Sequence, residues 1–188
     1  DETNDEQWPY RVKFSGTDLL GNVTIPEGDP TDLETSLEVS LDASSESYPL
    51  HTFNLLNDGV MEKIAKAFKL QPSEIAGATL DAGTVKADGF SGPAEGKVAV
   101  GLTNPDGKVS YAYSANGIGF WIAADGTASS WGDAPIYYEY DASGYGLTVG
   151  HNPGHSEKSK TYIIKPTMVY NKGGKLHKAV ITIKMKFA

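Results

Sequence analysis

The chain has 188 residues, enough for one domain or one domain with an arm, and enough to bury a core without metal or disulfide staples. Cysteine is absent, which excludes disulfides, thiolate chemistry and Cys-based zinc sites. A net charge of −8 argues against a duplex nucleic-acid partner, and no run of about 18 apolar residues is present to span a membrane as a helix.

Hydrophobic residues make up 39% of the chain, and 21 glycines and 10 prolines punctuate it, a balance that suits an all-β protein with many turns. The charge is uneven. Residues 1–56 carry 12 acids and two bases, whereas Lys158 to Ala188 hold eight lysines and no acid. Lysines spaced along a strand read as a solvated sheet face or a protected edge.

Residues 1–9 read as a flexible acidic tether, because DETNDEQ is charged and poor in apolar side chains. The absence of an initiator Met and of a signal peptide fits a mature or trimmed chain whose upstream part was removed. Residues 10–35 read as an N-terminal strand arm. In it Tyr10, Val12 and Phe14 share one face of a strand, Ser15 to Asn22 is turn-like, Val23-Thr24-Ile25 is extended and Pro26 to Thr35 is a loop.

Residues 36–188 read as the main domain. Leu37, Val39 and Leu41 alternate with polar residues, the mark of a half-buried strand, and His51 to Leu55 is extended. A helix over about 58–70 follows. Asp58 stands at its start, and Val60, Ile64, Ala67 and Phe68 make one apolar face. Pro72 begins a further short turn. A lone amphipathic helix in a β-rich chain covers one end of a sheet, since a helix this short needs tertiary support.

Strands then come in hairpins. Val98, Val100 and Leu102 lead to the Asn104-Pro105-Asp106-Gly107 turn, and Val109 to Tyr113 return. Asn116-Gly117 turns the chain into Ile118 to Ile122. After the loop from Thr127 to Pro135 come strands at Ile136 to Tyr140 and Tyr145 to Val149. His151 to Lys160 is a polar loop. Tyr162 to Tyr170 is extended, with Pro166 marking an edge or a bulge. Asn171 to Lys175 is a hairpin turn, and the last strand sets Ala179, Ile181, Ile183, Met185 and Phe187 against an outward row of lysines. The predicted fold is mainly β: an antiparallel β-sandwich of about nine to eleven short strands with one amphipathic helix, because strands with one wet face need a second sheet over the dry one.

The stretch from Gly117 to Gly154 holds two of the three tryptophans, four of the ten tyrosines and eight glycines. Alternation puts Ile118, Phe120 and Ile122 on one strand face and Trp121 on the other, so a core on the first face leaves Trp121 for water or a partner. Trp131 sits in a polar loop. An exposed indole ring stacks on the C–H face of a sugar while carboxylates and amides bind the hydroxyls. Trp121, Trp131 and Tyr137 are therefore candidate ligand-binding residues, with Asp125, Asp133, His151 and Asn152 as polar companions. The alternative is that both tryptophans fill hydrophobic clusters.

Catalytic signals are absent from the pattern. Asp125, Asp133, Glu139 and Asp141 offer carboxylates for a general acid/base pair, yet Asp125 and Asp141 precede turn residues, where turn formation accounts for them. His151 and His155 stand four apart, but Pro153-Gly154 between them breaks any helix that would align them. No nucleophile elbow, Gly-rich phosphate loop or EF-hand loop occurs. No catalytic residue, metal ligand or cofactor is assigned.

Several segments together resemble a known family. They are Tyr48-Pro49 through His51-Thr52-Phe53-Asn54-Leu55, the helix with LQPSEI after it, GLTVGHNPG (Gly146 to Gly154), and YIIKPTMVYN followed by HKAVITIKMKF. This pattern resembles a domain of unknown function found in exported proteins and lipoproteins of gut Bacteroidetes, over roughly Leu37 to Phe187. The resemblance implies a sandwich-like fold, a cell-surface or periplasmic location and association with glycan-degrading systems. The acidic leader looks like the tether after a lipidated cysteine, which implies a membrane link only through an anchor upstream of this chain. The expected function is a non-catalytic cell-surface module that binds carbohydrate or assists glycan processing, with a glycan or surface proteins as partners. The alternative is a structural or protein-interaction domain with no sugar site, and a glycoside hydrolase is a third reading. Exposure of Trp121 and Trp131 separates the first two.

Overall fold

A computed structural model describes residues 19–24, 32–76, 92–112, 118–141 and 143–188. The expected tether over 1–9, the strand over 10–14 and the turn at 116–117 lie outside the described residues. The described strands are β1 (Leu19–Thr24), β2 (Leu33–Leu41), β3 (Pro49–Asn54), β4 (Val98–Thr103), β5 (Lys108–Ala112), β6 (Ile118–Ile122), β7 (Ala128–Ser129), β8 (Ile136–Asp141), β9 (Gly146–His151), β10 (Thr161–Ile164), β11 (Pro166–Lys172) and β12 (Lys175–Phe187). Two helices, α1 (Val60–Phe68) and α2 (Pro72–Ala76), lie between β3 and β4.

The fold is mainly β and sandwich-like. A seven-stranded sheet runs β1-β5-β4-β11-β12, with β10 also paired to β12 and β2 on the other edge of β12. A five-stranded sheet runs β3-β9-β8-β6-β7. Alternation decides the faces. Val98, Val100 and Leu102 of β4, Met168 of β11 and Ala179, Ile181, Ile183, Met185 and Phe187 of β12 are buried and share one cluster with Phe120, Ile122, Ile136, Tyr138, Tyr140, Leu147 and Val149 of the second sheet. The Tyr138 hydroxyl crosses the core to donate to the Gly101 carbonyl at 2.5 Å, and its ring stacks on Phe120 at 5.5 Å. The lysines of β12 lie on the opposite, outer face, where Lys186 pairs with Glu38 of β2.

Several details depart from the sequence reading. β2 runs parallel to β12 over nine pairs, Leu33↔Ala179 to Phe187↔Leu41, so the sandwich is mixed at that edge. This pairing also draws Leu33 to Thr35 into a strand where a loop was expected. Leu19 to Asn22 pair with β5 and are strand, not turn. The single strand expected from Tyr162 to Tyr170 is two, because the Lys165 carbonyl turns to the Thr103 amide at 2.9 Å just before Pro166. Two-residue β7 was not expected. It is an edge paired to Trp121 and Ile122, and its Ala128 amide donates to the Asn104 side-chain carbonyl at 3.0 Å.

α1 begins two residues later than expected. Gly59 enters it in the left-handed region, φ 82°, and the Asp58 carboxylate accepts the Val60 N–H at 3.1 Å. Lys69 at φ 58° ends it. Val60, Met61, Ile64, Ala65 and Phe68 face the core, and Phe68 packs on Tyr170 at 5.4 Å, at the end of the sandwich where β3 leaves its sheet. α1 thus plugs an end that the two sheets leave open.

Gly150 in β9 is required by a close approach. A Cβ there would run into the Tyr48 carbonyl oxygen and the Tyr137 ring. Backbone oxygen cannot swing aside as a side chain can, so Gly150→Ala should cost about 1–3 kcal/mol, the ordinary range for overpacking. Urea denaturation should show a lower midpoint at unchanged slope.

Candidate functional site

The end of the sandwich opposite α1 gathers three loops: 42–48 between β2 and β3, 123–135 between β6 and β8, and 152–160 between β9 and β10. Backbone bonds join them. The His151 amide donates to the Tyr48 carbonyl at 3.1 Å, and the Asn152 amide donates to the Pro135 carbonyl at 3.0 Å. The Asn152 side chain donates to the Trp131 carbonyl at 3.1 Å. His151 Nδ1 lies 2.6 Å from the Ser156 hydroxyl, and its ring stacks on Phe187 at 5.9 Å and 17°.

Trp131 projects from this end and is 39% exposed. Its turn is closed by the Asp133 amide on the Ser130 carbonyl at 3.0 Å. The Asp133 carboxylate accepts the Ser130 hydroxyl at 3.4 Å. Asp125 is exposed at the tip of the β6–β7 turn and accepts the Thr127 amide at 2.9 Å. Hydrogen bonding from Thr127 lowers its carboxyl further below the ordinary 3.8. The loop end thus offers an indole face with two carboxylates in neighbouring turns.

Other expected residues lie elsewhere or do other work. Trp121 is a correction: it is only 2% exposed. Its ring meets Tyr137 at 5.2 Å and Tyr48 at 6.4 Å, so the outer face of the five-stranded sheet carries a second aromatic cluster instead of a sugar platform. Tyr137, fully buried, belongs to that cluster. His151 and Asn152 are buried as well, at 0% and 2%, and their polar atoms hold loops together. His155 is exposed, with Nδ1 3.2 Å from the Pro153 carbonyl, so it makes no pair with His151. Among the described residues no group of three His, Asp or Glu is placed to hold a metal ion, and no helix is long and apolar enough to cross a membrane.

Residues the sequence did not single out complete the loop end. Ser156, Asp42, Ser44 and Lys158 line an open hollow of about 460 Å³ beside His151. The Asp42 carboxylate accepts the Ser44 amide and hydroxyl at 2.9 and 2.7 Å, which lowers its pKa. Their role arises from loops more than 100 residues apart meeting in space, and no local spacing encodes that. A second hollow of about 520 Å³ lies by Asp32, Glu34, Lys165 and Lys178, and its charges are of both signs.

Residues 47–175 match the family model described as a domain of unknown function (DUF4859). The chain belongs to that family. The DUF4859 match takes in the five-stranded sheet, both helices and the loops that carry Trp131 and His151, and it ends where β12 begins. No curated protein and no solved structure matches the chain.

Of the four carboxylates considered for acid/base work, the structure brings together Glu139 and Asp141, which alternate onto the outer face of β8. Asp125 and Asp133 stand at the loop end. Glu139 is half-buried, and its Oε2 is buried with no hydrogen-bond partner among the described residues. Burial, with a smaller push from Asp141, raises its carboxyl from 4.5 to about 8. The side chain is therefore a neutral acid at pH 7. The signal was present in the sequence as one Glu inside the aromatic run IYYEY. A folded value above the unfolded one means stability is full below about 4.5 and falls as pH rises through about 8. Glu139→Gln should flatten that decline and raise stability by a few kcal/mol above pH 8. Thermal melting of both proteins across pH reads this directly.

Proposed function

We propose that this DUF4859 protein is a non-catalytic module that binds a glycan at its loop end, with Trp131 as the stacking ring. One observation carries the reading: a large aromatic side chain is left 39% exposed on a turn that the buried Asn152 side-chain amide ties to the loop behind it. Exposing an indole ring forgoes the gain from burying it. A fixed backbone under the ring reduces the ordering cost of binding, as a preformed platform does. Asp133, two residues on in the same turn, is a hydroxyl acceptor, and Asp125 is a further exposed carboxylate in the β6–β7 turn.

The setting we infer is the cell surface or periplasm, with the chain tethered through its acidic leader to a lipid anchor upstream. Support comes from the likeness to exported lipoproteins of gut Bacteroidetes, whose glycan-degrading systems supply the ligand class. In that setting the module positions a glycan for a processing partner.

Affinity electrophoresis against a polysaccharide panel tests the site. At least one polymer should retard the protein, and Trp131→Ala should lose about tenfold in affinity, the worth of one stacking contact. Trp121→Phe, inside the aromatic cluster, should leave binding unchanged. The opposite pattern, or no retardation by any polymer, would rule out this site. A second reading, a protein-interaction domain without a sugar site, draws on the burial of Trp121 and Tyr137. It predicts a stable protein complex that survives Trp131→Ala.

A further inference from the structure

We propose that the hollow on the outer face of the seven-stranded sheet binds a short peptide with free ends, its ammonium over β2 and its carboxylate at Lys165. The hollow is separate from the loop end, and the inference does not rest on the glycan reading.

The strand order puts β2, β12 and β11 side by side. Glu34 pairs with Val180 and Val180 with Thr167, so one rung of outward side chains crosses all three strands. Asp32 lies on one side of that rung, where its Oδ1 accepts the Lys178 N–H at 3.0 Å. Lys165 lies on the other side, two residues before Thr167 and on the same face. The two acids therefore hold one edge of the hollow and Lys165 the opposite corner, with the buried Val180 as floor between them. The volume of about 520 Å³ is that of a small-ligand site.

The hollow is also preformed. The Thr167 hydroxyl donates to the Lys165 carbonyl at 2.9 Å and meets the buried Thr103 hydroxyl at 2.6 Å, which fixes the backbone under the lysine. The Asn104 side chain donates to the Ser110 hydroxyl at 2.7 Å and accepts the Ala128 amide at 3.0 Å, so the turn that brings Pro105 to the wall is held from both sides. A fixed wall lowers the ordering cost of binding.

The charges select the ligand. Asp32, Glu34 and Lys165 make no ion pair among the described residues. Glu34 is exposed and takes the ammonium. Behind it Asp32 Oδ2 is buried with no hydrogen-bond partner among the described residues, and its charge adds to the pull on a cation at that edge. With Lys178 the lining carries two acids and two lysines. A ligand of one sign meets its own charge at one edge, whereas a zwitterion meets the opposite charge at both. β2 and β11 are two strand spacings apart, about 10 Å, and three extended residues span about 10 Å. A free amino acid is too short to reach both edges. Val180, Leu33 and Pro105 supply apolar contact for the peptide between them.

Isothermal titration calorimetry of the full chain with trialanine tests the site. Binding with a Kd of about 1 mM or tighter is expected. Acetylating the amine or amidating the carboxylate should each weaken it at least about tenfold. Asp32→Asn keeps the Oδ1 acceptor for Lys178 and should weaken trialanine by a similar factor. Lys165→Met should remove the difference between trialanine and its amide. Trp131→Ala should change nothing. The blocked peptides probe the native chain, so the test holds even where a variant misfolds. No binding of trialanine, equal binding of the blocked peptides, loss of binding in Trp131→Ala, or binding of glucuronic acid in place of trialanine would overturn the proposal. If trialanine binds as expected and no polysaccharide does, the hollow stands and the sugar site falls.

Discussion

The fold depends on the length of β12. Thirteen residues at about 3.3 Å each make a strand longer than any single partner in this chain. One edge is therefore filled by two strands in succession, β11 on its first half and β10 on its second. The other edge is taken by β2 in parallel register. That pairing closes the far end of β12 against loop 42–48, where the Ala188 amide reaches the Leu41 carbonyl at 2.8 Å. Because Phe187 sits at that end with its ring under His151, the same strand that organises the core also sets the floor of the loop end.

The two sheets use their outer faces differently. On the seven-stranded sheet the outer face is charged, with lysines of β12 beside glutamates of β2. On the five-stranded sheet it begins aromatic, at Trp121, Tyr137 and Tyr48, and ends polar, at Glu139, Thr148 and Thr52. Period-2 alternation holds on both sheets. It tells which residues share a face, and it does not tell whether that face is dry. This is why alternation sets Phe120 and Ile122 on one side and Trp121 on the other, yet leaves open whether Trp121 meets water or, as the structure has it, lies buried.

Most of the architecture was legible in that alternation and in the turns. The hairpin at Asn104 to Gly107, the helix after Asp58 and the final strand each follow from local chemistry: a turn residue with the right φ preference, an apolar stripe, a strict period of two. The parallel pairing of β2 was not legible, because the partners stand some 146 positions apart and a parallel pair needs no turn between them. Neither was the split at Lys165, which depends on an amide of β4 being there to take its carbonyl. Among site residues, Trp131 was readable as a large apolar side chain in a polar loop. His151 and Asn152 were readable as polar residues in a loop, but their burial comes from loops 42–48 and 130–135 closing over them.

This burial sorts the loop end into two classes of polar group. Asn152, His151 and Ser156 bond across the loop end, and removing any of them leaves a carbonyl, a hydroxyl or a ring nitrogen without that partner. Asp125 and Asp133 bond only within their own turns and remain at the surface. The second class can therefore change partners without disturbing the fold, while a change in the first class reaches the neighbouring loops. The Asn152 side-chain amide on the Trp131 carbonyl ties the turn beneath the indole to the loop after β9, and the Asp133 amide on the Ser130 carbonyl closes that turn on itself.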